Sequence, residues 1–152
     1  MNTRERTLCQ QVVLIKIKKT DAHAKILFEI LSKRKTNISH KSLPSYSNHK
    51  SFVLNHPYRA WYLIKHNDEF IGNAYILKSN CIGINIIKNN KIVVPIVIEE
   101  LLSKYKPLKA IKSVRAAEFD FNVAPSNKEY ISILERMGAR LAQVTFVFDK
   151  NC

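Results

Sequence analysis

The fold is decided by three consecutive segments, Arg59-Ala-Trp-Tyr-Leu-Ile-Lys65, Phe70-Ile-Gly-Asn-Ala-Tyr-Ile-Leu-Lys78 and Cys81-Ile-Gly-Ile-Asn-Ile-Ile-Lys88. Each is rich in apolar, β-branched and aromatic residues, a composition typical of strands that pack on a core. Short turns containing Asn and Asp separate them, at residues 66–69 and 79–80, and suit tight hairpin connections. The three segments therefore predict an antiparallel meander at the centre of the chain.

Upstream of the meander, the chain predicts one strand and two helices. Residues 12–17 are apolar and β-branched, as expected of a buried strand. Thr20 or Asp21 can cap a following helix at 22–33, whose apolar residues recur on one face. A polar connection then leads to a second, shorter helix at about 47–55.

Downstream of the meander, helix and strand patterns alternate. The next helix is expected to have Pro95 near its start, where the missing N–H of proline costs little. Residues 114–123 predict a strand, 128–137 a helix ended by Gly138, and 141–148 a closing strand. The whole order predicts an α/β fold with a mixed central sheet and helices on both faces.

Length and composition are those of one globular domain, which we predict to span residues 1–152. No run approaches the ~18 apolar residues of a membrane-spanning helix. The first residues lack the apolar stretch of a signal peptide, so a cytoplasmic location without a membrane partner is expected. Cys9, Cys81 and Cys152 are far apart and in no ligand spacing, which predicts neither a disulfide framework nor a metal site.

The charge balance is strongly basic. Lys and Arg number 25 against 12 Asp and Glu, which gives a net charge of +13. Such an excess favours an anionic partner: nucleic acid, an acidic surface or a phosphate-bearing small molecule. A solvated basic surface is the plainer alternative, because the lysines are scattered rather than grouped. Nucleic acid is favoured by charge alone, since the chain lacks the Arg-rich helix and aromatic signatures of common RNA modules.

Two segments carry a family resemblance. The stretch Ala124-Pro-Ser-Asn-Lys-Glu-Tyr-Ile-Ser-Ile-Leu-Glu-Arg-Met-Gly138 and the meander from His56 to Ile86 resemble the late motif and central hairpins of the GNAT N-acyltransferase superfamily. The resemblance implies a GNAT-like fold and acetyl transfer from coenzyme A to a primary amine. A weaker resemblance to small members in nucleotide-amino-sugar and surface-polysaccharide biosynthesis implies a phosphorylated amine acceptor.

The resemblance also implies a site for acetyl-CoA. In the family, the strand that corresponds to 81–88 splays from the strand that corresponds to 114–123. The pantetheine arm then binds along the strand at 81–88 as an added strand would. The implied cofactor-binding residues are Ile82, Gly83, Ile84, Lys88, Asn89, Asn90, Lys91 and Asn127. The family's pyrophosphate loop is rich in glycine, whereas residues 89–96 contain none. A side chain there hinders close approach of a phosphate and disfavours a positive φ.

Catalytic candidates follow from the same resemblance. Many members carry a tyrosine seven residues after the motif asparagine, to protonate the leaving thiolate, and this chain has Leu134 there. Tyr130, one turn earlier, is the candidate substitute; the alternative is a packing aromatic. Glu118, two residues from Asp120, is a candidate base or water ligand, or else a surface ion-pair partner. His56 is a second candidate base, with a surface loop histidine as its alternative.

Further residues and alternatives stay open from the sequence. His40 and His49 lie in the region where the family binds acceptor, and Tyr58, Arg59, Trp61 and Tyr62 could line it, although alternation turns half of these to the core. The absent glycines and Leu134 favour a second hypothesis, a binding or regulatory module that has lost catalysis. A homodimer is also expected, because the last strand has no evident partner.

Overall fold

A computed structural model describes residues 11–34 and 42–150. The strands are β1 (Val12–Lys16), β2 (Ala60–His66), β3 (Glu69–Ile76), β4 (Cys81–Ile86) and β5 (Asp120–Phe121). The helices are α1 (Asp21–Ser32), α2 (Tyr46–Asn55), α3 (Asn90–Lys104) and α4 (Lys128–Arg136).

One five-stranded sheet takes the order β1-β2-β3-β4-β5. The first four strands pair antiparallel, and β4 pairs with β5 in parallel. Two tight turns form the hairpins of the meander; Asn67, Asp68 and Asn80 adopt positive φ in them, as short polar side chains can. The mixed sheet and the central meander predicted from the sequence are confirmed.

Helices cover both faces of this sheet, and the alternation along β2 explains why. Tyr62 and Ile64 point into a core shared with α3 and α4. Trp61 and Leu63 point the other way, into a core shared with α1 and α2. Every residue from Ala60 to Ile64 is buried, because β2 is a central strand with a helical layer on each side.

Helix α1 is capped and tied to α2 by side chains. The Thr20 hydroxyl accepts a hydrogen bond from the backbone N–H of His23, as its N-cap position predicted. Asp21 accepts a 2.6 Å hydrogen bond from the Tyr46 hydroxyl and lies 3.1 Å from the ammonium groups of Lys25 and Lys50. This network joins the first turns of the two helices.

The first correction concerns the start of α3. The sequence predicted a start near Pro95, yet the helix begins at Asn90 and holds Pro95 in its interior. The apolar residues Val93, Val94 and Val97 are buried in the core, and their burial outweighs the local cost of the proline. The helix therefore begins almost directly where β4 ends.

The second correction concerns the strand predicted at 114–123, which is reduced to Asp120 and Phe121. Residues 111–115 instead form a turn, with a bridge between Ile111 and Arg115 and a positive φ at Ser113. The fully buried side chain of Asn80 holds this loop, as it donates to the carbonyls of Leu108 and Ala116 and accepts from the N–H of Leu108. A loop around a buried amide thus replaces most of the strand.

The third correction concerns the closing strand predicted at 141–148. Helix α4 ends as expected at Gly138, which takes a φ of +96°. The residues that follow run without helix or strand pairing among the described residues, and their apolar side chains are exposed. The sequence carries the strand pattern, but these residues pair with no strand of the part of the chain that the structure describes.

His49 gives the fold a dependence on pH. Its ring is buried between α1 and α2, and this burial lowers its pKa. A hydrogen bond to the Ala24 carbonyl offsets part of the decrease. Because the folded state disfavours the charged ring, stability is present above the unfolded pKa of about 6.5 and falls below it. We expect the free energy of unfolding to decrease between pH 7 and 5 by at most about 1.4 kcal/mol per pH unit from this group.

Urea titrations at each pH measure this effect, and His49→Gln should flatten the curve. An equal slope in the unmodified chain and in His49→Gln would show that other groups cause the dependence.

No helix within residues 11–34 and 42–150 combines the length and the apolar character needed to cross a membrane.

Candidate functional site

The candidate site begins where β4 and β5 part. The two strands pair only at Cys81 with Asp120 and at Ile82 with Phe121. Beyond these pairs, β4 continues to Ile86 along β3, while the chain after Phe121 leaves toward α4. The edge of β4 at 83–86 that faces away from β3 therefore has no strand partner among the described residues, and its backbone groups are available to an extended ligand.

This open edge leads directly into the N-terminus of α3. Asn89, the N-cap, takes the left-handed conformation with φ 61°, and its side chain makes no capping hydrogen bond. No acidic residue lies in the first turn. The N–H groups of Asn90 and Lys91 thus have no hydrogen-bond partner among the described residues, and the helix dipole makes this end attractive to anions. Asparagine tolerates the left-handed conformation, so Asn89 adopts a positive φ at this turn without glycine.

A buried histidine contacts this N-cap. The Nδ1 atom of His66, at the end of β2, lies 3.4 Å from the side-chain amide of Asn89. His66 is buried, and its Nε2 has no hydrogen-bond partner among the described residues. The Asn89 side chain is therefore engaged with His66 and does not cap the helix.

Basic side chains lie beside the same helix end. Lys91, Lys128 and Arg136 line an open groove of about 490 Å³ between α3 and α4, together with Glu129 and Ser132. Lys88, which the sequence placed with Lys91, is instead held in an ion pair with Glu69. Lys91, Lys128 and Arg136 are therefore the positive charges available to bind an anion in this groove.

Tyr130 lies in the core formed by the sheet, α3 and α4. Its backbone N–H donates to Asn127 Oδ1 at 3.2 Å, so Asn127 caps α4. Its hydroxyl is buried and has no hydrogen-bond partner among the described residues. Burial, with smaller contributions from Cys81 and Tyr75, raises its pKa, so the hydroxyl keeps its proton. Leu134 is buried in the same core and offers no polar atom.

Cys81, Asp120 and Asn122 meet where β4 and β5 join. The side-chain amide of Asn122 donates to Cys81 Sγ at 3.3 Å. Burial first and Asp120 second raise the pKa of the Cys81 thiol to about 11. Cys81 is buried, as predicted, and the protonated thiol is a poor nucleophile. Cys9, Cys152 and His40 lie outside the described residues.

The two candidate bases stand apart from this junction. Glu118 lies on an exposed bend before β5, with Arg140 as its nearest ionic partner at 4.0 Å. His56 accepts a hydrogen bond from the Tyr58 N–H through Nδ1, and burial lowers its pKa. Because Nδ1 accepts this bond, the lone pair that a base would use is already engaged.

Aromatic rings form a wall on the α1–α2 side of the sheet. Tyr58 stacks on Tyr75 at 4.6 Å between ring centroids, and Trp61 and His56 contact Tyr58 edge-on or tilted. The Tyr75 ring lies over Gly83, where an added Cβ would overlap it. Sequence reasoning missed Tyr75, and the signal would have been the register that sets it opposite Gly83.

Arg59 and Tyr62, the other two residues expected in this wall, lie on the opposite face of the sheet. Tyr62 and Tyr105 share a 2.5 Å hydrogen bond between their hydroxyls, and Arg59 lies over the Tyr105 ring. The prediction that alternation divides this group is confirmed.

Solved structures of acetyltransferases share this fold. The chain is similar to an aminoglycoside N-acetyltransferase, AAC(6')-Iy, solved in complex with CoA: identity is 12%, the TM-score is 0.58, and the match covers 94% of this chain and 97% of the other. It is equally similar to an integron cassette protein from the mobile metagenome of V. cholerae, with 12% identity, a TM-score of 0.58, and 92% and 93% covered. A third structure, a possible acetyltransferase from Clostridium difficile 630, has 9% identity, a TM-score of 0.55, and 91% and 97% covered.

No protein-family model and no curated protein matches the sequence. The structural likeness extends over nearly the whole length of each pair of chains. The chain therefore has a GNAT-like fold, as its late motif and meander predicted.

Proposed function

We propose that this protein is an N-acyltransferase that transfers an acetyl group from acetyl-CoA to a primary amine of a small acceptor. One observation carries the proposal: the unpaired edge of β4 runs directly into a bare, uncapped helix N-terminus at Asn89. An extended chain of amides that ends in phosphates fits such a surface, because a strand edge binds amides and a helix N-terminus binds anions.

The residues present fit coenzyme A in three places. The open edge at Gly83 and Ile84, directly beyond the last paired residue Ile82, binds the amides of its pantetheine arm. The first N–H groups of α3, at Asn90 and Lys91, donate to the pyrophosphate. The basic groove with Lys128 and Arg136 lies within the same surface and suits a further phosphate.

Tyr130 is the proposed general acid. Acetyl-CoA supplies the acetyl group, as the amine forms a C–N bond to the carbonyl carbon and the C–S bond breaks. Tyr130 gives its hydroxyl proton to the departing sulfur and regains one from solvent. Asp120, at the junction of the two strands, accepts through water the proton that the amine loses. Glu118 and His56 stay predictions as bases, since their observed partners, Arg140 and Tyr58, are not residues of this junction.

The aromatic wall is the proposed acceptor side. The stacked rings of Tyr58 and Tyr75 lie beside Gly83, and the edge of such an aromatic pair can contact a sugar or base ring. The half-buried guanidinium of Arg34 is close enough to act electrostatically on both tyrosines. This charge supports an anionic acceptor, of which a nucleotide-linked amino sugar is one. A cytoplasmic location and a homodimer complete the proposal.

The hypothesis of a module that has lost catalysis rested on two features. One was the glycine-free loop, and the left-handed Asn89 supplies a positive φ there without glycine. The other was Leu134, and the partnerless hydroxyl of Tyr130, in the same core, offers a substitute acid.

Calorimetric titration with acetyl-CoA tests the proposal. We expect micromolar binding, weakened about tenfold or more in Lys91→Glu and in Lys128→Glu, since a charge reversal beside a phosphate costs at least about 1.4 kcal/mol. Lys112→Glu is the matched control, because Lys112 lies on the exposed turn held by Asn80, at the far end of β4 from α3.

Pantetheine provides a second control, since it lacks the phosphates and should bind all four proteins alike. An absence of acetyl-CoA binding at millimolar concentration would overturn the proposal. Equal weakening by Lys112→Glu would mean that net charge, not the helix end, attracts the ligand.

A further inference from the structure

His66 ends strand β2 on the face of the sheet that packs against α3. Tyr62 and Ile64 point into the core shared with α3, and His66 follows them in the alternation of the strand. Its backbone pairs with Val12 of β1 on one side and with Glu69 of β3 on the other. The ring of His66 is therefore attached to a central strand, which gives it a fixed position beside the start of α3.

The buried ring of His66 makes one polar contact within residues 11–34 and 42–150, and that contact is with Asn89. The Asn89 amide lies 3.4 Å from Nδ1, while Nε2 is buried without a partner. An unpaired buried polar atom costs free energy, so an apolar side chain would serve packing alone better. The contact with Asn89 is therefore what the polar ring adds at this position.

Asn89 differs from a second asparagine that stands at a helix N-terminus in the same chain. Asn127 has a φ of −82°, and its Oδ1 accepts a hydrogen bond from the N–H of Tyr130. Asn89 has a φ of 61° and makes no such bond, although asparagine is among the strongest N-cap residues. An interaction must therefore hold Asn89 out of the capping conformation, and His66 is the residue that its side chain contacts.

The hairpin that contains His66 makes a second contact with the start of α3. Glu69, which begins β3, forms an ion pair with Lys88, the residue directly before Asn89. The two contacts join the turn between β2 and β3 to the connection between β4 and α3. Only the contact from His66 reaches the N-cap residue itself.

We propose that His66 is a positioning residue for acetyl-CoA: it holds Asn89 in the left-handed, non-capping conformation, which leaves the first two N–H groups of α3 free for the pyrophosphate. The inference rests on the proposed function, because it concerns the same helix end. Without His66, Asn89 can turn to the extended conformation usual at an N-cap, and its Oδ1 then accepts from the N–H of Lys91. The pyrophosphate must displace that bond before it binds.

Calorimetric titration of His66→Phe with acetyl-CoA tests this role, because phenylalanine keeps a buried ring but has no nitrogen to contact Asn89. We expect the dissociation constant to rise about fivefold, the effect of an N-cap bond that the ligand must displace. The smaller His66→Leu should behave alike. In the Asn89→Gly background, His66→Phe should change the dissociation constant less than about twofold, since glycine has no side chain to cap the helix. Equal weakening in both backgrounds would indicate a purely structural role and overturn the proposal.

Glu69→Gln is the matched control, because it breaks the other contact between the same hairpin and the same connection. It should not weaken the binding of acetyl-CoA, since the contact of His66 with Asn89 stays in place. A loss equal to that of His66→Phe would mean that the hairpin supports the connection as a whole and that control of Asn89 is not the cause. That outcome would contradict the proposal.

Hydrogen exchange at the Lys91 amide, followed by NMR, gives an answer that does not need acetyl-CoA. This N–H has no partner among the described residues, so it should exchange rapidly in the unmodified chain. In His66→Phe the new bond should slow the exchange about fivefold, and adding Asn89→Gly should restore the rapid rate. Equal rates in the unmodified chain and in His66→Phe would overturn the role of His66 even if acetyl-CoA binds. Slowed exchange in a chain that does not bind acetyl-CoA would support that role and count against the proposed function alone.

Discussion

Replacing Tyr130 by phenylalanine is expected to lower the turnover number for acetyl transfer about 10²–10³-fold, with little change in the affinity for acetyl-CoA. The hydroxyl is buried, and burial raises its pKa, so it is protonated and able to donate to a departing thiolate. General acid catalysis of this kind typically contributes about 10²–10⁴-fold. The ring itself stays in place, so the groups proposed to bind the cofactor are unchanged.

The stability of the same variant separates catalysis from packing. A buried hydroxyl without a partner costs free energy, and its removal leaves the apolar contacts of the ring intact. We therefore expect the free energy of unfolding of Tyr130→Phe to be equal to that of the unmodified chain, or higher by about 1 kcal/mol.

Steady-state kinetics and urea denaturation together measure the two effects. Tyr105→Phe is the matched control, because Tyr105 loses its hydrogen bond to Tyr62 at the opposite end of α3 from Asn90. It should keep full turnover. A Tyr130→Phe variant with unchanged turnover would show that Tyr130 is a packing residue, the alternative that the sequence left open.

The sequence predicted those elements whose signals are local. The cap at Thr20 and the stop at Gly138 depend on residues within one turn, and both are present. The meander could be predicted because its three strands and their turns are adjacent in sequence.

The sequence failed where the outcome depends on a distant partner. Residues 114–123 and 141–148 carry strand patterns, but a pattern cannot tell whether an edge is present to pair with. Pro95 suggested a helix start because proline is usually found there, and the buried valines around it overrode that preference. Local propensity is a weak guide when tertiary burial opposes it.

The candidate site likewise has residues that the sequence could name and features that it could not. Tyr130 and the residues 88–91 were named from a resemblance to known motifs. The left-handed backbone of Asn89 was not foreseen, because asparagine permits that conformation without requiring it. The ion pair that withdraws Lys88 depends on Glu69, which the hairpin between β3 and β4 brings alongside it.

Asn80→Ala is expected to lower the free energy of unfolding by about 4 kcal/mol, a large part of the 5–15 kcal/mol typical of a domain. The fully buried amide makes three hydrogen bonds of 2.7–2.9 Å to the backbone of Leu108 and Ala116. Each contributes about 1 kcal/mol. Asn80 also has a φ of 70°, where alanine costs about 1 kcal/mol more.

Urea denaturation of two further variants separates these contributions. Asn80→Gly should be about 1 kcal/mol less destabilising than Asn80→Ala, because glycine accepts the positive φ but still loses the bonds. Asn67→Ala is the control: Asn67 also has a positive φ in a hairpin turn, yet it is exposed. It should cost only about 1 kcal/mol. Equal losses for Asn67→Ala and Asn80→Ala would mean that the buried bonds add nothing.

The same substitution should weaken the cleft. The carbonyl of Asn80 accepts from the N–H of Asp120, so the residue whose side chain holds the loop also begins the pairing of β4 with β5. That pairing has only two residue pairs, and a loosened loop gives it little support. We expect Asn80→Gly to bind acetyl-CoA more weakly under conditions where it is still folded. Unchanged affinity would show that β5 keeps its place without the buried amide.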